Sequence, residues 1–270
     1  MTTPTEKTIS ANTAEEILKL ENVSCAYHTE SGETLAVDDL SFSAKKGEFI
    51  SIIGPSGCGK TTVLTMIAGL IKPSGGKITI GGNSASGKSI GYMLQKDQLF
   101  PWRTVLKNVY LPLEVKKITT KENFDYGKEL VIKYGLKDFM NSYPDELSGG
   151  LRQRAALIRT LVFRPALLLL DEPFSALDYQ TRLSVSEDVY RIIRSENQTA
   201  VLVTHDISEA ISLSDRIIVL TKRPCRVKTV HKINFGNTPP LKRRESPEFS
   251  KWFEILFKEL KTDDRRKKEI

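Results

Sequence analysis

The stretch Phe49–Thr62, Phe-Ile-Ser-Ile-Ile-Gly-Pro-Ser-Gly-Cys-Gly-Lys-Thr-Thr, constrains this chain more than any other. An apolar run enters a glycine-rich turn, and the turn opens into a helix. Gly54, Gly59, Lys60 and Thr61 fit the phosphate-binding spacing G-x-x-x-x-G-K-[ST]. Glycines let the backbone curl so that N–H groups point inward at an anion. The helix that follows presents its positive dipole end to the same anion. Lys60 has the length to reach outer phosphates, and the Thr61 hydroxyl suits a magnesium ion. A chance glycine turn is the alternative; an apolar run before, a helix after and an intact Gly-Lys-Thr disfavour it. The expectation is a nucleoside triphosphate cradled by Gly54, Pro55, Ser56, Gly57, Cys58, Gly59, Lys60, Thr61 and Thr62.

At 270 residues the chain is one large or two small domains, with room for a substantial core. The net charge of +7 allows an ordinary solvated surface, a nucleic-acid face or work beside anionic lipid headgroups. Charges are interspersed, which favours the first; the densest basic run, Arg265 to Lys268, lies in the tail. Cys25, Cys58 and Cys225 have neither metal-ligand spacing nor a disulfide framework, and Cys58 is given no redox role. Met1 to Glu16 is polar rather than leader-like, and the longest apolar run, Ala166 to Leu170, is too short to cross a bilayer. These features read as soluble and cytosolic.

Along the chain, residues 1–14 read as loose. Strands are expected from Ile17, around Leu35 to Phe42, into the phosphate loop, over Lys77 to Ile80 and over Ile90 to Leu94. A helix after Lys60 should stop at Gly69. Gly81 to Ser89 reads as a polar loop, and Val105 to Met140 as mostly helical, with Pro101 and Pro112 as breaks. A further helix is expected over Leu151 to Phe163. Ala166 to Leu170, Ala200 to Val203 and Ile217 to Leu220 are apolar runs typical of strands buried on both faces. Strands alternating with helices predict a mostly parallel sheet covered on both sides. Lys96 to about Phe163 interrupts that alternation and reads as an inserted helical subdomain. Ser246-Pro247-Glu248 should start a last helix, with Phe249, Trp252, Phe253, Leu256 and Leu260 as a core-packing stripe.

Three features add chemistry. Leu167 to Glu172 is an apolar strand ending in two carboxylates. Beside the phosphate loop, Asp171 could hold magnesium with Thr61, and Glu172 could take a proton from an attacking water. Leu147-Ser148-Gly149-Gly150-Leu151-Arg152-Gln153 opens a second helix with small residues, again suited to an anion. His205 follows directly after an apolar strand, where a phosphate contact is expected.

With these motifs in order, the sequence closely resembles the nucleotide-binding subunits of ATP-binding-cassette (ABC) transporters over nearly its full length. The resemblance implies an α/β P-loop NTPase fold with a RecA-like core, an antiparallel β subdomain and an inserted α-helical subdomain. Tyr27 looks like the aromatic that stacks on adenine, and Gln95 like the glutamine that senses magnesium and water. Residues 147–153 resemble the family signature, with Ser148, Gly149 and Gly150 on the nucleotide. Ser175-Ala176-Leu177-Asp178 resembles the loop coupling paired sites, and His205 the switch histidine. Implied cofactors are ATP and Mg2+, with Thr61, Gln95 and Asp171 at the metal and Glu172, His205 and Gln95 in catalysis. Implied domains are a flexible 1–16, an ATPase domain over 17–235 with its helical part at about 96–163, and a C-terminal helix and basic tail over 236–270.

Met93 to Val105, with Phe100-Pro101-Trp102 after the glutamine, looks like importers of the nitrate, sulfonate and taurine group. So do Thr204 to Ala210, Leu213 to Arg216 and Ser246 to Phe249. Cys225 stands where that group commonly has glycine, and Leu151 where glutamine or methionine is usual. The implied protein is a motor working as a head-to-tail pair, a homodimer, each ATP lying between one chain's phosphate loop and the other's Ser148–Gly150. Implied partners are two integral permease subunits and an extracytoplasmic solute-binding protein, with no nucleic acid. The implied place is the cytoplasmic face of the cell membrane, as a peripheral protein. The solute stays open between such anions and a heterocyclic vitamin precursor. A soluble, non-transport ABC ATPase is the rival, disfavoured by one cassette and no sustained heptads. Trp102 is read equally as a docking residue or as subdomain core.

Overall fold

A computed structural model of the chain describes residues 15–29, 32–81, 83–84 and 90–265. The loose segment expected at 1–14, most of the polar loop at 81–89 and the end of the basic run lie outside the described residues.

The central sheet follows from the continuous apolar runs. Strands β3 (Phe49–Ile53), β7 (Leu167–Asp171) and β8 (Thr199–Val203) are buried at every residue. With β6 (Ile90–Met93), β9 (Arg216–Leu220) and β10 (Val227–Lys232) they form a six-stranded sheet of order β10-β9-β3-β8-β7-β6. All its pairings are parallel except β10 on β9. Alternate side chains serve opposite faces, as the pleat requires. Leu168 and Leu170 pack with the helices α2 (Val105–Val115), α3 (Lys121–Lys133), α4 (Gly149–Leu161) and α5 (Tyr179–Ser195). Leu167 and Leu169 join the opposite cluster, with α1 (Lys60–Ile67) and the second sheet.

That second sheet is antiparallel, of order β2-β1-β4-β5, from β1 (Glu16–Thr29), β2 (Gly32–Lys45), β4 (Gly75–Ile80) and β5 (Asn83–Ser84). β1 and β2 run longer than the apolar pattern suggests. Their pairing extends from Glu16↔Lys45 to Thr29↔Gly32 through several bulges, carrying the ladder beyond the apolar stretch into polar ends.

The helices between β6 and β7 start on hydroxyl caps. Thr104 accepts from the Lys107 N–H and Thr120 from the Asn123 N–H. Pro112 does not break α2 as expected; the helix continues to Val115. A proline inside a helix costs about 3 kcal/mol. The buried Val109 and Leu113 on either side each contribute about 1.5–3 kcal/mol, which offsets that loss. Helices α6 (Ile207–Leu213), α7 (Pro240–Arg244) and α8 (Pro247–Arg265) complete the chain. Ser246 Oγ accepts from the Phe249 N–H at 3.3 Å, so the expected cap on α8 forms. Leu256 is buried against Ile53, Ile211 and Val219, with Phe249, Trp252 and Leu260 around it. Phe253 departs from the expected core stripe: it stands at the rim and stacks on Phe257, ring centroids 5.9 Å apart.

Candidate functional site

Register decides which groups meet. Ile52 of β3 and Asp171 of β7 both lie opposite Val203 of β8, on either side of it. The loops that follow these three strands therefore leave one edge of the sheet together. This is where ligands of open parallel sheets are bound.

The first loop is the glycine turn 54–59. Gly57 and Gly59 have φ of +72° and +123°, left-handed values that L side chains rarely adopt. A Cβ on Gly59 would also come within 3.2 Å of the Ala36 carbonyl and of Cys225 Sγ. Cys225 thus packs directly beneath the turn. Burial pushes its thiol up to about 12 and raises that of Cys58 as well, which keeps both protonated and unreactive. No side chain caps α1, so its first N–H groups are left for an anion. Lys60 folds its ammonium back over the loop, donating to the carbonyls of Gly54 at 2.9 Å and Pro55 at 3.0 Å. Across the turn, the Tyr27 hydroxyl meets Thr62 Oγ1 at 3.1 Å, tying β1 to α1.

The second loop carries the acids. Asp171 Oδ1 accepts from Thr61 Oγ1 at 3.4 Å and Oδ2 from the Tyr92 hydroxyl at 3.3 Å. Burial raises the pKa of Asp171 above the usual carboxylate range, and burial beside this acid also raises that of Tyr92. Glu172 has a φ of +45° and donates its N–H to Val203 O at 2.9 Å. The kink turns its carboxylate toward the third loop, where His205 Nδ1 lies 3.1 Å from Oε2. Ser175 Oγ donates to the Glu172 carbonyl at 3.0 Å and accepts from Gln95 Nε2 at 3.2 Å. Gln95 is thereby joined to the acids through Ser175.

The structure brings Tyr27, Gly54–Thr62, Gln95, Asp171, Glu172 and His205 to one edge. It keeps Ser148, Gly149, Gly150 and Asp178 elsewhere. Ser148 caps α4, accepting from the Leu151 N–H at 3.4 Å. Gly149 lies against Leu177, and Gly150 against Val185 and Thr181 of α5. Asp178 caps α5 through the Thr181 N–H at 3.0 Å, and hydrogen bonding from the Thr181 side chain, then from this N–H, lowers its carboxyl pKa. A cleft of about 700 Å³ opens on one side of the glycine turn, bounded by Gly54–Cys58, His205 and the α8 residues Phe257, Leu260 and Lys261; Asp171, Glu172 and Gln95 lie outside its lining, as do these four.

Tyr92 and Arg182 belong to this constellation outside every motif, and Thr204 and Glu209 belong to it from a stretch read only for its resemblance, with no role given them. One signal was available for Glu209. Asp206-Ile-Ser-Glu209 has capping-box spacing, and Asp206 Oδ1 does accept from the N–H groups of Ser208 and Glu209 at 2.7 and 3.2 Å. The Glu209 carboxylate does not reciprocate. It turns inward and accepts from Thr204 Oγ1 at 2.6 Å.

Residues 37–175 match the family model of the ABC transporter. The chain belongs to the ABC transporter ATPases. Its fold is accordingly the α/β P-loop fold of that family, with a RecA-like central sheet, an antiparallel β sheet and inserted helices. It is 46% identical over 255 residues to the uncharacterized ABC transporter ATP-binding protein YtlC of Bacillus subtilis (strain 168), covering 93% of this chain and 98% of that one. It is 39% identical over 241 residues to the aliphatic sulfonates import ATP-binding protein SsuB of Bacillus licheniformis, covering 88% and 92%. Nitrate and taurine import ATP-binding proteins are further relatives. The solved dimeric structure of a post-hydrolysis state of the ATP-binding cassette MJ0796, bound to ADP and Pi, superposes with a TM-score of 0.68. Its identity is 30%, over 82% of this chain and all of that one. Among the described residues of this ABC ATPase, no helix is long and apolar enough to cross a membrane.

Proposed function

We propose that this ABC ATPase hydrolyses ATP at the common edge of β3, β7 and β8 and energises the import of a small solute. The observation that carries the reading is the convergence of the glycine turn, Asp171-Glu172 and His205 on that edge. Lys60 exchanges its loop carbonyls for phosphate oxygens, and the uncapped start of α1 supplies N–H donors. Tyr27 provides the aromatic surface at the base end. Thr61 and Asp171 fit a magnesium ion: a hydroxyl and a buried carboxylate, both hard oxygen donors, 3.4 Å apart. With Gln95 they would hold the ion, which when bound supplies positive charge to the phosphates. Glu172, steered by its kinked backbone and by His205, accepts the proton of the attacking water. Glu172→Gln should keep ATP binding and lose roughly 100-fold or more of turnover, the scale of a missing general base. Near-normal turnover in that variant would sink the assignment.

Ser148, Gly149, Gly150 and Asp178 pack at the starts of α4 and α5, against Leu177, Thr181 and Val185 rather than against the glycine turn, which supports a working pair. A second copy, turned head to tail, lends its α4 start to this chain's phosphate loop. That the similar cassette MJ0796 is dimeric supports a pair. Two permease subunits and an extracytoplasmic binding protein would be the other partners, with the ATPase on the cytoplasmic face of the membrane. The solute we infer is a small anion such as nitrate, an aliphatic sulfonate or taurine, from the relatives named for those imports.

A further inference from the structure

Behind the Glu172–His205 pair, a second set of contacts joins the loop 175–178 to the loop carrying His205. Its centre is Arg182, on the first turn of α5. The Arg182 guanidinium donates to the Leu177 carbonyl at 3.0 Å. Its Nη1 stands 3.7 Å from Asp206 Oδ2, and its Nε 4.0 Å from Glu209 Oε1. That Nε is buried and has no hydrogen-bond acceptor among the described residues. On the far side, Glu209 is buried and accepts from Thr204 Oγ1 at 2.6 Å. Thr204 Oγ1 in turn accepts from the Asp206 N–H at 3.0 Å. His205 is therefore flanked on both sides by residues of one network.

A guanidinium is a rigid planar fork, so arms on separate acceptors set a distance between them. The 3.7 and 4.0 Å separations are short of hydrogen bonds by roughly 1 Å or less. A small approach of the His205 loop toward α5 would convert both and give the buried Nε its acceptor. We propose that Arg182 is a positioning residue for hydrolysis, which locks the His205 loop to the loop 175–178 and so holds the imidazole against Glu172. The inference rests on the roles of Glu172 and His205 proposed above. Burial, which pushes the Glu209 carboxyl up to about 7, makes it a group whose charge a closer guanidinium would hold. Leu177 also touches Gly149, so the same loop contacts the start of α4.

The test uses the full chain, measuring kcat and KM for ATP together with thermal unfolding. Arg182→Gln should lower kcat about 10- to 100-fold, the cost of a small misplacement, with KM changed less than about twofold. Arg182→Lys keeps the charge but not the fork and should recover only part of the loss. Glu209→Gln should lower kcat in the same direction. A kcat for Arg182→Gln within about twofold of wild type overturns the proposal. So does full recovery of both kcat and unfolding temperature in Arg182→Lys, which would mark a purely structural ion pair. Glu172→Gln is the control. If it retains turnover, the underlying assignment fails; if it loses turnover while Arg182→Gln does not, only the role of Arg182 fails.

Discussion

Asp171 and Glu172 are adjacent carboxylates given different surroundings by one backbone torsion. Asp171 ends a strand and stays buried between Thr61 and Tyr92. The φ of +45° at Glu172 breaks the extended run and presents the second acid to His205. Glu209 is the other acid whose setting has a measurable consequence. Burial raises its carboxyl pKa from 4.5 to about 7. Between those values the folded chain keeps a proton that the unfolded chain releases, so this group's contribution falls as pH rises across the window. The total is about 3 kcal/mol. The unfolding free energy of wild type relative to Glu209→Gln should therefore decline from pH 4.5 to pH 7.5 and level off above. A difference that is flat across that range would contradict the burial of an ionisable Glu209. Of the residues at this edge, those proposed to contact a phosphate or its water were legible from motif spacing. Tyr92, Thr204 and Arg182 were not, because their roles depend on which strands and helices become neighbours.

Among the elements, β3, β7 and β8 were legible because burial on both faces demands uninterrupted apolar runs. β10 leaves no such mark: none of its residues is fully buried, and among the described residues it pairs only with β9, at the sheet edge. The segment after β6 shows the opposite case, an apolar cluster that packing does not claim. Leu99 is buried in the core, but Trp102 is 71% exposed and stacks on Phe100 with ring centroids 4.9 Å apart. The core reading of Trp102 is thereby corrected. Leu94 is also exposed, next to Gln95, so an apolar surface adjoins the residue bonded to Ser175. We propose this surface as the contact for a permease subunit. Trp102→Ala should change folding stability by less than about 0.5 kcal/mol, as for an exposed side chain, and should abolish solute uptake by the assembled transporter while ATP binding persists. Unfolding of the isolated variant, or normal uptake, would count against the contact.

At the scale of the molecule, the two helix starts proposed to bind an anion pack in different places. The glycine turn leading into α1 borders a cleft with His205, while the start of α4 is packed beside Leu177 and α5. The motifs announce both ends but carry no information on their separation, which is set by how α4 packs on α5. We propose that each chain supplies half of two sites. Mixing two inactive variants is the decisive measurement. Lys60→Ala removes the phosphate lysine, and Ser148→Arg blocks the exposed start of α4 at a cap cost of about 1 kcal/mol. In a head-to-tail pair of one variant with the other, both defects fall in one site and the second site is intact. The mixture should hydrolyse ATP well above the sum of the separate variants. Activity no greater than that sum would contradict a site shared between chains.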